Sequence, residues 1–150
     1  MKIIAVGNSF YGDDGIGAAV LENIRQEGHF PGAELIDVHT DALTLLDHLA
    51  CGETTVVVDA AQMGLEPGTA VGFRPDEVRM KIRSDHLSMH GFGLAEAFDL
   101  AVQLGRMPQD VLIVGVEPVR VEINRGLSDL VKEAVPRVIS IIQEEVQSNG

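Results

Sequence analysis

Apolar runs of strand length alternate with stretches of helical periodicity along this chain. Residues 2–7, around Ile3-Ile4-Ala5-Val6, read as a buried first strand. Ile16, Val20, Leu21 and Ile24 then recur at helical spacing, which predicts a helix from about Gly15 to Gln26 with Gly28 as its stop. Pro31-Gly32 marks a turn, and Glu34 to His39 alternates as a strand. Leu43, Leu45, Leu46 and Leu49 predict a short helix capped by Thr40 or Asp41 and closed by Cys51-Gly52-Glu53. Thr54 to Ala60 is the clearest strand. Its three consecutive valines suit burial on both faces of a parallel sheet, and it ends in Asp59. Gly64 to Gly68 is a loop, Ala70 to Phe73 a short edge strand, and Pro75 to Ser84 a polar surface excursion. Leu94, Ala97, Phe98, Ala101 and Leu104 share a helix face, with His90 just ahead of its first turn or within it. Val111 to Val116 is a further buried strand. The apolar positions from Leu127 to Val146 predict a long C-terminal helix, with Ser128 in its first turn, a kink or break at Pro136 and a frayed tail from Gln147. No internal repeat interrupts this order, which predicts an α/β fold: a three-layer α/β/α sandwich around a mostly parallel sheet.

At 150 residues and 45% hydrophobic content, the chain fits one domain, 1–150, with a core of its own. The apolar residues are mainly aliphatic, as parallel strands covered by helices require. The net charge of −12 argues against nucleic acid, which needs a basic face, and against an anionic membrane surface. Within this acidic chain, residues 74–84 form the most basic stretch, a candidate partner-binding segment. Cys51 is the only cysteine, so an internal disulfide and a cysteine-based metal cluster are both excluded. No leader pattern opens the chain, and no apolar run approaches the ~20 residues of a membrane span. The expectation is a cytoplasmic protein.

The candidate chemistry centres on Gly7 to Gly17, GNSFYGDDGIG, where the first strand turns into the first helix. Ligands of open parallel sheets bind beyond the carboxyl ends of the strands, so Asp13 and Asp14 stand at the expected mouth of a site. The glycine spacing is G-x-x-G-x-G, not the dinucleotide pattern G-x-G-x-x-G. Two carboxylates at a helix start also repel a pyrophosphate; they either cap the helix or offer oxygen to a cation. Asp59 brings a third acid to the same sheet edge, and a buried carboxylate needs a partner there. Glu117 is a fourth acid at a strand end, with a turn role beside Pro118 equally open. His86 and His90 are four apart, but H-E-x-x-H fails because Leu87 stands where the base belongs. Asp13, Asp14, Asp59 and His90 can supply carboxylate and imidazole ligands, and three ligands of Asp, Asp, His type suit nickel, zinc or iron and leave open positions on the ion. No G-x-S-x-G elbow is present and Cys51 has no evident partner, so hydrolysis here would use activated water.

Four blocks carry a resemblance to a known family. GNSFYGDDGIG resembles the signature G-N-x-x-x-x-D-D/E-G-I/V-G of the hydrogenase maturation endopeptidases, the processing proteases of nickel–iron hydrogenase large subunits. VVVDAA resembles their second acidic segment, HGFGLAEAF their histidine segment H-x-x-G-L-x-D/E, and LIVGVEP their V-G-I/V-x-P segment. The blocks occur in the family order and span nearly the whole chain. The resemblance implies an α/β/α sandwich and an aspartate-dependent, nickel-dependent endopeptidase. Its partner is the hydrogenase large-subunit precursor, already carrying nickel, from which it removes a short C-terminal extension in a transient complex, acting as a monomer. Carried over residue by residue, Asp14, Asp59 and His90 are both the metal ligands and the catalytic residues. Asp13 is a helper or cap, and His86 matches no family position. Many members carry a Gly-Gly-Thr segment after the second strand. Here Val38-His39-Thr40-Asp41-Ala42 stands there instead: Thr40 matches, the glycines are absent, and the expectation is that Asp41 or His39 replaces a contact those glycines would make. The resemblance leaves open which hydrogenase is the client. Two other readings stand beside it: a nickel-sensing chaperone that binds the precursor without cutting it, and a hydrolase of another substrate on the same fold. A phosphorylase version of the latter would need basic phosphate ligands where these aspartates stand.

Overall fold

The structure is a computed structural model that describes residues 1–85, 87, 92–119 and 126–149. β1 (Lys2–Val6), β2 (Glu34–His39), β3 (Thr54–Gln62), β4 (Ala70–Phe73), β5 (Ser84–Asp85) and β6 (Asp110–Val116) form one sheet in the order β2-β1-β3-β6-β4, with β5 paired to β3. β2, β1, β3 and β6 are parallel. β4 runs antiparallel along the β6 edge, and β5 pairs antiparallel with the last residues of β3.

Alternation along the strands divides the core into two layers. Ile3, Ala5, Val56, Val58, Leu112 and Val114 face α1 (Ile16–Glu27) and α5 (Asp129–Asn149). Ile4, Val6, Val57 and Ile113 face α2 (Ala42–Asp47), α3 (Val78–Lys81) and α4 (Leu94–Gln103). This is the expected α/β/α sandwich with its mostly parallel sheet. Helix α1 approaches the sheet closely because Gly17 lacks a side chain: an added Cβ would lie 2.9 Å from Ala5 Cβ and 3.0 Å from the Val58 carbonyl oxygen. That contact sets where α1 begins, and so where the turn before it meets β1.

Several local expectations change. β3 continues past Asp59 to Gln62, because Ala61 and Gln62 find partners in Asp85 and Ser84. The 75–84 stretch lies at the surface as expected, but it carries secondary structure of its own: a 3₁₀ turn, α3 and the start of β5. It is anchored by Arg74, whose guanidinium donates to both oxygens of buried Glu145 at 2.7 and 2.8 Å and to the Val111 carbonyl at 3.0 Å. This pairing raises the Arg74 pKa. Pro136 does not break the C-terminal helix. It lies on the exposed side of α5, while Val131, Val135, Val138 and Ile142 keep the opposite side packed on the sheet. The tail is helical through Asn149 rather than frayed from Gln147.

Replacing Gly17 with valine should destabilise the fold by about 1–3 kcal/mol, since the new side chain meets strand atoms with no room to yield. Urea unfolding should show a lower midpoint with an unchanged slope; an unaltered midpoint would mean that α1 does not rest on the sheet as described.

Candidate functional site

The site is built where β1 ends. Gly7 has φ +134°, a conformation that side chains rarely adopt, and an added Cβ there would overlap the Asp14 carbonyl oxygen. The chain can therefore fold back so that a 3₁₀ turn, Gly12–Gly15, packs against β3. Asn8 fixes the intervening loop. Its side-chain oxygen accepts the Phe10 N–H at 2.9 Å, and its own N–H donates to Asp14 Oδ2 at 3.0 Å. Asp14 is thereby aimed from below by the same residue that shapes the loop above it.

Asp13, Asp14 and Asp59 are all buried, at 1, 2 and 0% exposure, rather than standing open at a mouth. The N-cap position of α1 is held by Gly15 and not by either aspartate. Asp13, expected as helper or cap, instead joins distant parts of the chain. It accepts the Val119 N–H at 2.8 Å, the Ser128 N–H at 2.7 Å and the Ser128 hydroxyl at 3.0 Å. Ser128 in turn accepts the Val131 N–H at 3.4 Å and so caps α5. One carboxylate thus ties the turn after β1 to the exit of β6 and to the start of α5. Asp59 lies on β3, three residues before its end, on the face that carries Val57. Asp14, in the turn that follows β1, and Asp59, on the adjacent strand β3, therefore lie at the same carboxyl edge of the sheet.

His90 and His86 lie outside the described residues. Among the described residues no three His, Cys, Asp or Glu side chains form a metal-holding group. The described site is its carboxylate half. Two buried carboxylates attract a cation and repel a phosphate, which fits the donor set expected for a divalent metal and not an anion site.

Other candidates are placed elsewhere. Glu117 is structural: its Oε1 accepts the Met63 and Leu65 N–H groups at 2.8 and 3.0 Å, fastening the β3–β4 loop. Cys51 is exposed at the amino end of β3, opposite the acids, with its thiol 2.9 Å from the Gly105 carbonyl oxygen. Asp41 caps α2, accepting from Leu43 and from the backbone and hydroxyl of Thr44. These bonds, led by the Thr44 hydroxyl, lower its pKa. The cap therefore stabilises α2 above the ordinary aspartate range and loses its effect as pH falls through the lowered value. His39 has φ +54°, and its carbonyl accepts the Gly7 N–H at 2.7 Å. A histidine thus adopts the left-handed backbone that glycine favours.

Sequence reasoning missed Asn8 as an organiser and did not name Asp85. Asp85 is buried, pairs with Ala61 beyond Asp59, and accepts the Leu94 N–H at 3.1 Å. It joins β5 to the first turn of α4. An Asn two residues before a turn was a legible signal. Nothing in the spacing marks Asp85.

A profile of the hydrogenase maturation protease family matches residues 18–145. The chain is 33% identical over 121 residues to the hydrogenase expression/formation protein HupM of Azotobacter chroococcum mcd 1, covering 80% of this chain and 58% of the relative. It is 29% identical over 150 residues to HupD of Thiocapsa roseopersicina, covering 99% of this chain and 68% of that one. Among solved structures, it superposes on the hydrogenase maturating endopeptidase HybD from E. coli with a TM-score of 0.82 at 25% identity, covering 100% of this chain and 94% of the other. HybD from Thermococcus kodakarensis superposes with a TM-score of 0.71 at 27% identity, covering 95% and 96%. The chain belongs to the hydrogenase maturation protease family. It spans 58% of the length of HupM.

Asp13→Asn should cost about 2 kcal/mol or more, because an amide cannot accept three bonds from donors that all point at it. Chemical denaturation is the measurement; a loss below about 0.5 kcal/mol would show that Asp13 does not hold α5 to the turn.

Proposed function

We propose that this protein is an endopeptidase that removes the C-terminal extension from a nickel-loaded hydrogenase large-subunit precursor, with the precursor's nickel as its recognition element. One observation carries the reading: in a chain of the maturation protease family, two buried carboxylates, Asp14 in the turn that follows β1 and Asp59 near the end of the adjacent strand β3, stand at the sheet edge where such folds bind ligands. With His90 they supply the Asp, Asp, His set that engages the substrate's metal. A fully loaded precursor brings its own cation into this acidic pair, so loading is sensed by the charge it delivers.

The chemistry is addition of water to the scissile carbonyl. The C–N bond breaks, the mature protein keeps the new carboxyl group and the released peptide takes the amine proton. The substrate's nickel supplies Lewis acidity, and Asp14 and Asp59 hold it and receive protons from water. Cys51, at the opposite edge, takes no part.

A protein substrate also fits the surface. Phe10 is 70% exposed and Leu43 67%, and both lie on segments that follow β1 and β2 at the edge holding the acids. A cleft of about 600 Å³ lies at the other edge, against Met1, Phe30 and Val146. No helix among the described residues is long and apolar enough to cross a membrane. We assign the reaction to the cytoplasm and to a monomer that meets its substrate transiently.

Asp14→Asn, Asp59→Asn and His90→Ala should each lower processing at least ~10²-fold while the circular dichroism spectrum stays native. The assay is mass spectrometry of the precursor before and after incubation, with loaded and nickel-free forms side by side. Cleavage of the loaded form alone fits the reading. Equal cleavage of both removes the nickel checkpoint, and normal cleavage by the variants removes the assigned residues. Binding without cleavage by the wild-type protein points to a chaperone.

A further inference from the structure

The basic stretch that the fold places beside β3 holds a guanidinium with an unassigned role. Arg74 is taken up by Glu145, and Arg79 bonds Asp99 at 2.7 Å. Arg83 is exposed and, among the described residues, makes no ion pair. Its position is nonetheless fixed. Its N–H donates to the Gln62 carbonyl at 2.7 Å, which locks its backbone to the end of β3. Its guanidinium lies against Gly64, where an added Cβ would be 2.9, 3.0 and 3.3 Å from Nη2, Cζ and Nη1. Gly64 has φ +76°, so this bed for the guanidinium depends on a residue without a side chain. The guanidinium thus stands beside the carboxyl end of β3, the strand that carries Asp59. It also forms part of the wall of a cleft of about 170 Å³ whose lining includes Val78, Ile82 and Ala95 together with Asp85 and Glu96, whose carboxylates accept the Leu94 and Gly93 N–H groups.

We infer that Arg83 binds a carboxylate of the peptide being cleaved, on the released side of the scissile bond. The inference rests on the endopeptidase reading and assigns the orientation of its substrate. With 23 acidic and 11 basic residues the protein repels an acidic peptide over most of its surface, so a guanidinium fork without an ion pair selects where a carboxylate rests. Asp14 and Asp59 take the cationic, metal-bearing side of the substrate, and Arg83 takes the anionic side. The two signs set the direction in which the extension crosses the edge of β3. The carboxylate is either the terminal one of the extension or an acidic side chain within it.

The test compares wild type, Arg83→Gln and Arg83→Lys on three forms of the nickel-loaded precursor: unmodified, C-terminally amidated, and with the acidic side chains of the extension changed to amides. Arg83→Gln should raise KM about tenfold on the unmodified precursor, with the effect concentrated in KM rather than kcat. Arg83→Lys should recover part of the loss, since it keeps the charge but not the fork. The neutralised precursor on which wild type and Arg83→Gln become equal identifies the carboxylate. An unchanged KM for Arg83→Gln, or a loss that persists on both neutralised precursors, overturns the inference. If wild type cleaves none of the precursors, the endopeptidase reading fails. Arg83 is then judged by fluorescence anisotropy with the labelled extension peptide in its free and neutralised forms. Weaker binding by Arg83→Gln to the free form only sustains the inference, and equal binding overturns it.

Discussion

Removing carboxylates from water is the costly act on which this structure turns. Asp13, Asp14 and Asp59 lie within a single turn and a neighbouring strand, all nearly inaccessible. Much of the surrounding architecture serves to make that arrangement tolerable. Gly7 and Gly17 bring the turn and α1 into contact with β1 and β3, because neither has a side chain to hold them apart. Asn8 supplies the N–H that Asp14 accepts. Asp13 collects three donors from Val119 and Ser128. The cost of burying Asp13 is thereby converted into a long-range tie, since its donors belong to the exit of β6 and the cap of α5. Asp14, in the turn after β1, and Asp59, near the end of the neighbouring strand β3, stand on this rigid base. That is the arrangement a cation completes, and it is what makes a metal-bearing substrate the natural partner under the proposed reading.

How much of this could be read from the sequence depended on whether the governing physics was local. The strand-and-helix alternation, the valine run of β3 and the glycine stop of α1 were legible because burial period and backbone freedom are written residue by residue. Asp41 as the cap of α2 was legible for the same reason. Asp13 was not. Its position in a helix-start motif suggested a cap, but its partners are over a hundred residues away. The end of β3 was misplaced near Asp59 because its extension depends on pairing with β5, which local pattern cannot supply. Pro136 shows the converse: a local rule for breaking a helix yields when the proline faces solvent and the opposite side is anchored in the core. Arg83 and Gly64 are far apart in sequence, so the bed that holds the guanidinium appears only in the fold.

The same edge of the sheet thus carries buried negative charge at the ends of β1 and β3, a fixed positive charge on the rim beside β5, and exposed apolar side chains on the segments after β1 and β2. Under the proposed reading these are three independent handles on one substrate: its metal, its extension and its folded body. A processing protease that must wait for metal insertion needs the first handle to be decisive. The second and third then give register and affinity without triggering cleavage by themselves.

Contact between the Asp14 and Asp59 carboxylates and the nickel that the precursor carries is the centre of the proposed function. X-ray absorption at the nickel edge tests it most directly, using loaded precursor frozen alone, with wild-type protein, and with an Asp14→Asn, Asp59→Asn double variant. Additional oxygen or nitrogen scatterers should appear at nickel with the wild type and be absent with the double variant. Identical spectra in all three samples, with complex formation verified, would contradict that contact.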